Sequence, residues 1–232
     1  MRRKGVIKCV MFDLDNTLYD SSQYLLGAFR LVSEHVSRRR DIGRSEVYAA
    51  LVGVWKDKTS IYPKIFEDAL EPLGLNVDVK KLASLFNAYS GRIMPYPDTI
   101  STLNRLKERS VKLALVTDGN VPRQTRKLKL LKIQRFFDAI VFTDEMAAKP
   151  SPFPFLEALR QVDEKPSNSI YVADNPVLDF RGPKIIGMGT ARILRGEFCR
   201  FPKYEDIDFE VKSLDEIVTA VRSYRRSEER SR

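Results

Sequence analysis

Asp13 and Asp15 stand one residue apart at the end of an apolar run, Val6 to Phe12. That run is short, rich in Val and Ile, and reads as a buried strand. Side chains at i and i+2 point to one side, so the two carboxylates should converge beyond the strand's end. Two carboxylates about 4 Å apart repel by roughly 4 kcal/mol at an effective dielectric of about 20. A divalent cation offsets that repulsion, and an all-oxygen ligand set favours Mg²⁺. Taken alone, the stretch fits equally well a strand-to-loop junction with two solvated acids.

Three later stretches change that balance. Leu115-Val116-Thr117-Asp118-Gly119-Asn120 puts a small hydroxyl donor at the end of a second apolar run. Lys149-Pro150-Ser151-Pro152-Phe153-Pro154-Phe155 puts a cation just before a helix, with Ser151 as the expected cap and prolines suited to the first turn. A lysine there can neutralise negative charge gathered at the site. Tyr171-Val172-Ala173-Asp174-Asn175-Pro176-Val177-Leu178-Asp179 supplies two more carboxylates after a third apolar run.

With Asp13-Leu14-Asp15-Asn16-Thr17, these stretches resemble, in order, the motifs of the haloacid dehalogenase-like hydrolase superfamily. The resemblance is to its phosphatase branch, with a helical cap inserted after the first motif, and spans Val6 to Leu194. It implies an α/β fold: a Rossmann-like, three-layer parallel-sheet core with an all-helical cap domain. It also implies roles. Asp13 would be the nucleophile, forming an aspartyl-phosphate; Asp15 would protonate the leaving group and then act as base for water. Thr117 and Lys149 would complete the catalytic set, and Thr117, Asp118, Gly119 and Lys149 would bind the phosphoryl group. Mg²⁺ would sit on Asp13, Asp174 and the backbone carbonyl of Asp15, and Asp179 would steady Lys149 or a metal-bound water. Two residues depart from the family pattern: Ala173 stands where Gly is usual, and Asp118 where many relatives have Asn.

The elements that must position these residues follow from periodicity. Helical spacing begins at Ser21 or Ser22 with Leu25, Leu26, Phe29, Val32 and Val36. Three more helices are predicted at about 44–58, 60–73 and 78–93, the third ending at Gly74. Residues 20–94 thus form a helical insertion, closed by Pro95-Tyr96-Pro97-Asp98. Beyond it helices at 97–110, 122–132, 152–162 and 178–187 alternate with strands at 111–117, 139–142, 169–173 and 190–194. Such alternation implies parallel pairing through right-handed crossovers. The chemistry-bearing residues then fall on one edge, beyond the strands' carboxyl ends. The expected division is a core of 1–19 and 95–223, a cap of 20–94, and a basic, disordered tail of 224–232. No element is predicted between Leu194 and that tail.

Composition bounds the function. The 232 residues, 43% hydrophobic and 31% charged, suit a globular core with a companion domain. No apolar run approaches the ~18 residues of a membrane span. No signal-peptide pattern follows Met1-Arg2-Arg3-Lys4, so we expect a cytoplasmic chain without membrane contact. Cys9 and Cys199 make no disulfide framework, and His35 has no partner for a zinc site. The net charge of +9 sits partly at the two ends and partly on Arg123, Arg126, Lys127, Lys129, Lys132 and Arg135, read as a solvated helix face. Nucleic-acid binding is the weaker reading of that charge. The expected partner is a small phosphorylated metabolite. A phosphomutase of the same fold, a nucleic-acid-end phosphatase and a non-catalytic binding module remain the alternatives. Tyr19, Asp20, Gln23, Tyr24 and Trp55 are candidates for choosing the substrate, and oligomeric state is open.

Overall fold

The structure is a computed structural model that describes residues 6–38 and 41–229, without the side chains of 145 and 222–229. The first apolar run forms strand β1 (Cys9–Phe12), all of it buried. Four cap helices follow: α1 (Ser22–Ser37), α2 (Arg44–Lys58), α3 (Ile65–Leu70) and α4 (Val79–Ala88). The alternating half then runs α5 (Thr99–Lys107), β2 (Lys112–Thr117), α6 (Val121–Leu131), β3 (Ala139–Phe142), α7 (Phe153–Val162), β4 (Ser169–Ala173), α8 (Arg181–Ile185) and β5 (Gly189–Ile193). Strand β6 (Phe209–Val211) and helix α9 (Leu214–Glu229) end it.

All six strands pair in parallel, in the order β3-β2-β1-β4-β5-β6. This is the doubly wound order whose direction reverses at β1, and such sheets bind ligands at that reversal, outside the strand ends. Period-2 alternation divides the core. Cys9, Met11, Ala114, Val116, Tyr171 and Ala173 share a cluster with Phe155, Ala158, Leu159 and Val162 of α7. The alternate positions Val10, Phe12, Leu113, Leu115, Ile170 and Val172 are also buried, so both faces are covered, as all-parallel sheets require. Helix α5 packs on β2 and against α9.

The chain divides into two compact units, Met1–Asp20 with Met94–Arg232, and Ser21–Ile93. The second has its own core, in which Leu25, Phe29, Val32, Val47, Leu51, Leu70 and Leu82 are buried. Where the chain leaves and re-enters the first unit, Tyr96 N–H donates to the Leu18 carbonyl at 3.0 Å and the Thr99 hydroxyl to the same oxygen at 2.7 Å.

Several boundaries differ from expectation. The third cap helix begins at Ile65, not 60, because Pro63 disfavours helical backbone at the residue before it. The fourth ends at Ala88, where Tyr89 turns extended with ψ 132°, so 89–93 are not helical. Helix α8 keeps only Arg181–Ile185 of the predicted 178–187. Strand β6 was not expected, and α9 continues as helix through Glu229, into the stretch assigned to the tail. Arg2, Arg3, Lys4 and residues 230–232 lie outside the described residues. Among the described residues no helix is long and apolar enough to cross a membrane.

Candidate active site

Asp13 follows β1 directly, and its N–H extends the ladder by donating to the Val172 carbonyl at 3.0 Å. Thr117 ends β2, and Asp174 follows β4. Parallel pairing in register brings these three strand ends together, since Phe12 is opposite both Leu115 and Val172. Asp13, Thr117, Lys149, Asp174 and Asp179 are all buried.

Lys149 joins them. Its Nζ donates to Asp13 Oδ1 at 2.8 Å and to Asp179 Oδ1 at 2.6 Å, and to the Tyr171 hydroxyl at 3.2 Å. Tyr171 belongs to β4 and is held by an edge-on contact with Phe155 of α7, ring centroids 4.8 Å apart. Asp179 is fixed in turn by the Asn175 N–H, which donates to its Oδ2 at 3.0 Å. Burial works against the Lys149 ammonium, but Asp13 and Asp179 more than offset it and raise its pKa well above the usual range. Burial pushes Asp13 up to about 7, with Lys149 pulling against it and Asp179 and Asp15 adding to the rise. Burial likewise raises Asp174 well above the carboxylate range, with Asp179 and Asp13 adding to it.

Asp15 has a different environment. Lys127 Nζ, on α6, donates to its two oxygens at 2.7 and 2.8 Å. Gln124 Nε2 donates to Asp15 Oδ2 at 2.9 Å and to Thr117 Oγ1 at 2.7 Å, and the Tyr19 hydroxyl donates to Asp15 Oδ1. Burial raises the Asp15 carboxyl, yet Lys127, Tyr19 and Gln124 together bring it down to about 2. Burial in turn lowers the Lys127 ammonium, against the pull of Asp15. These neighbours hold Asp15 as a carboxylate, the form a base for water needs, rather than with the proton a general acid carries.

The structure thus brings Asp13, Lys149, Asp174 and Asp179 into one charged group, and links Asp15 to Thr117 through Gln124. Asp118 is turned inward: its Oδ1 accepts from the Thr143 hydroxyl and, at 3.3 Å, from the Lys149 N–H. Its carboxylate therefore anchors the Lys149 loop. Gly119 has φ +108°, which favours glycine, and an added Cβ would lie 2.3 Å from Arg123 Nη2. Tyr24 is not available to choose a substrate. It is buried in the cap unit, its hydroxyl donating to the Phe86 and Asn87 carbonyls at 2.9 and 3.1 Å.

Lys127 corrects the reading of α6 as a solvated basic face. Lys129, Lys132 and Arg135 are exposed, but Lys127 is buried, as is Gln124. The signal was present: Lys127 lies three residues after Gln124 and four before Leu131, on the stripe that α6 turns inward. Arg192 was also missed. It is the largest fully buried side chain among the described residues, donating from Nε to the Asp174 carbonyl at 3.3 Å and from Nη2 to the Phe198 carbonyl at 2.6 Å. Its Nη1 pairs with Glu210 of β6 at 3.1 Å, so β5 holds the backbone of Asp174 from behind.

Among the described residues, no three His, Cys, Asp or Glu side chains cluster as a ready metal-ligand set. Asp15 has its side chain committed to Lys127 and Gln124, which leaves its backbone carbonyl as the group to offer. A cation nevertheless fits the charge distribution. Asp13 and Asp179, both buried, flank the Lys149 ammonium, and the buried Asp174 carboxyl feels the charge of all three. Asp174 Oδ2 is buried with no hydrogen-bond partner, a costly arrangement unless a cation or ligand meets it.

A doubly wound sheet with carboxylates, a hydroxyl and a lysine at its strand ends defines a class of hydrolase fold. The profile of the haloacid dehalogenase-like hydrolase family matches residues 10–193. The chain belongs to that family. It is 36% identical over 229 residues to glyceraldehyde 3-phosphate phosphatase of Methanopyrus kandleri, covering 94% of this chain and 98% of the relative. It is 33% identical over 227 residues to glyceraldehyde 3-phosphate phosphatase of Methanocaldococcus jannaschii, covering 95% of this chain and 100% of the relative. Among solved structures, a haloacid dehalogenase-type phosphatase from Thermococcus onnurineus superimposes with a TM-score of 0.68 at 25% identity, covering 92% of this chain and 97% of that one.

Proposed function

We propose that the protein is a Mg²⁺-dependent phosphatase that hydrolyses a small phosphorylated metabolite through an aspartyl-phosphate. The observation that carries this reading is Lys149 bridging Asp13 and Asp179 beside the unpartnered Asp174 Oδ2. Asp13, Asp174 and the Asp15 carbonyl would hold Mg²⁺, which would neutralise charge on Asp13 and on the phosphoryl oxygens. Asp13 attacks phosphorus, and the bond from phosphorus to the leaving oxygen breaks as Asp15 gives that oxygen a proton. The arriving phosphoryl dianion favours protonation of Asp15, since a like charge nearby raises a carboxyl's pKa. Asp15 then takes a proton from water as the water opens the aspartyl-phosphate and releases phosphate. Thr117 donates its hydroxyl to a phosphoryl oxygen, and Lys149 offsets charge on the transferring group. Glyceraldehyde 3-phosphate, for which the two archaeal relatives are named, is the first substrate to test.

The test is phosphate release from glyceraldehyde 3-phosphate, other metabolite phosphates, pyrophosphate and p-nitrophenyl phosphate, with Mg²⁺ and with EDTA. We expect metal-dependent turnover, with kcat reduced at least about 10³-fold in Asp13→Asn. Substantial activity in that variant would sink the mechanism. Folded protein with no turnover on any compound would point to the mutase or to a binding module. A requirement for a bisphosphate activator identifies the mutase.

A further inference from the structure

We propose that Lys127 is a positioning residue that sets Asp15 for its proton transfers; this rests on the phosphatase reading. The site contains two buried lysines, and they serve different carboxylates. Lys149 holds Asp13 and Asp179, whereas Lys127 holds Asp15 with both carboxylate oxygens within 2.8 Å of its Nζ. A lysine is almost never buried unless paired, and the Lys127 side chain is 6% exposed against 31% for Asp15. The pair is therefore anchored from the lysine side, and the carboxylate is the partner that reaches toward solvent.

Helix α6 supplies the rigid support. Its first turn is fixed by Pro122 and by the Asn120 side chain, which accepts from the Arg123 N–H at 3.2 Å. Gln124 and Lys127, three residues apart, present their side chains to the same carboxylate. Gln124 also donates to Thr117 Oγ1 at 2.7 Å, so one helix fixes the distance between the phosphoryl-binding hydroxyl and the proton-handling carboxylate. With Tyr19 as a third donor, both oxygens of Asp15 are held in one orientation. Removing Lys127 takes away the charged member of that set and frees the carboxylate to rotate. Proton transfer requires heavy atoms within hydrogen-bond reach, so the loss falls on the step that needs the proton.

The measurement exploits the leaving group. A nitrophenolate departs without a proton, while the alkoxide of glyceraldehyde 3-phosphate needs one. In Lys127→Met, kcat/KM for glyceraldehyde 3-phosphate should fall roughly 10–100-fold, and for p-nitrophenyl phosphate by less than about 3-fold. In an Asp15→Asn background the Lys127 change should add no further loss on glyceraldehyde 3-phosphate, because the residue acts through Asp15. Equal losses on both esters, or a full further loss in that background, would overturn the inference and leave Lys127 as a packing element. Should Lys127→Met fail to fold by circular dichroism, Lys127→Gln removes the charge while retaining a donor, and kcat/KM should still fall more for glyceraldehyde 3-phosphate than for p-nitrophenyl phosphate. A folded wild-type protein with no turnover on any metabolite phosphate or on p-nitrophenyl phosphate would overturn the phosphatase reading, and this inference with it.

Discussion

The Lys149 ammonium meets two buried carboxylates at 2.6 and 2.8 Å, and this one residue shows what residue type and neighbours reveal. A lysine followed by Pro-Ser-Pro reads from sequence as a cation ahead of a helix, and Asp13 and Asp174 read as acids at strand ends. Their convergence follows from parallel pairing. Lys127 was not legible in the same way, because a lysine within six basic residues looks solvated until its place on the inner stripe of α6 is weighed. Asp118 was legible as an extra negative charge, but not as an acceptor bonded to Thr143 and the Lys149 loop. The cysteines give a direct check at this scale. Burial pushes the Cys9 thiol up to about 12, whereas Cys199 is exposed. A thiol above the working pH is a poor nucleophile, because the thiolate is the reactive form. Native protein at pH 8 should therefore incorporate one equivalent of a maleimide rapidly and the second only on denaturation. Fast labelling of both would contradict the burial of Cys9.

Helix α8 approaches the Lys149 loop closely, and Gly182 makes this possible. A Cβ at that position would lie 2.8 Å from the Pro150 carbonyl, the Ser151 carbonyl and Phe155 Cε2. Two of those contacts are backbone, so a side chain cannot be accommodated by a rotamer change. Gly182→Ala should destabilise the fold by about 1–3 kcal/mol through overpacking, read as a lowered urea midpoint with unchanged m-value. An unaltered midpoint would mean the loop yields freely. Element existence was mostly legible here, since long periodic helices and apolar strands carry strong signals. The last strand and helix were not predicted. Phe209–Val211 is three residues long and pairs at the edge of the sheet, too short for alternation to stand out. Leu214, Ile217, Val218 and Val221 do recur at helical spacing, with all four buried, and the charge that follows them obscured that pattern.

At the scale of the molecule each unit contributes a hydrophobic cluster of its own residues. Leu51 lies in the cap cluster and Val116 in the sheet cluster, and neither cluster contains residues of the other. Each truncation to Ala should cost roughly 1.5–5 kcal/mol, and the two costs should add within about 0.5 kcal/mol in the double variant. A larger departure in equilibrium unfolding would show energetic coupling between the cores. The net charge of +9 was legible from composition, yet it did not reveal that two of the lysines, Lys127 and Lys149, are buried against Asp15, Asp13 and Asp179. The hydrogen bonds from Tyr96 and Thr99 to the Leu18 carbonyl carry a separate consequence. They close the exit and return of the chain at a single point, so the sheet sees the intervening helices as a loop with adjoining ends. Such a segment is an exchangeable cassette: its length and sequence can diverge, or a different insert can be spliced in, without any strand changing register.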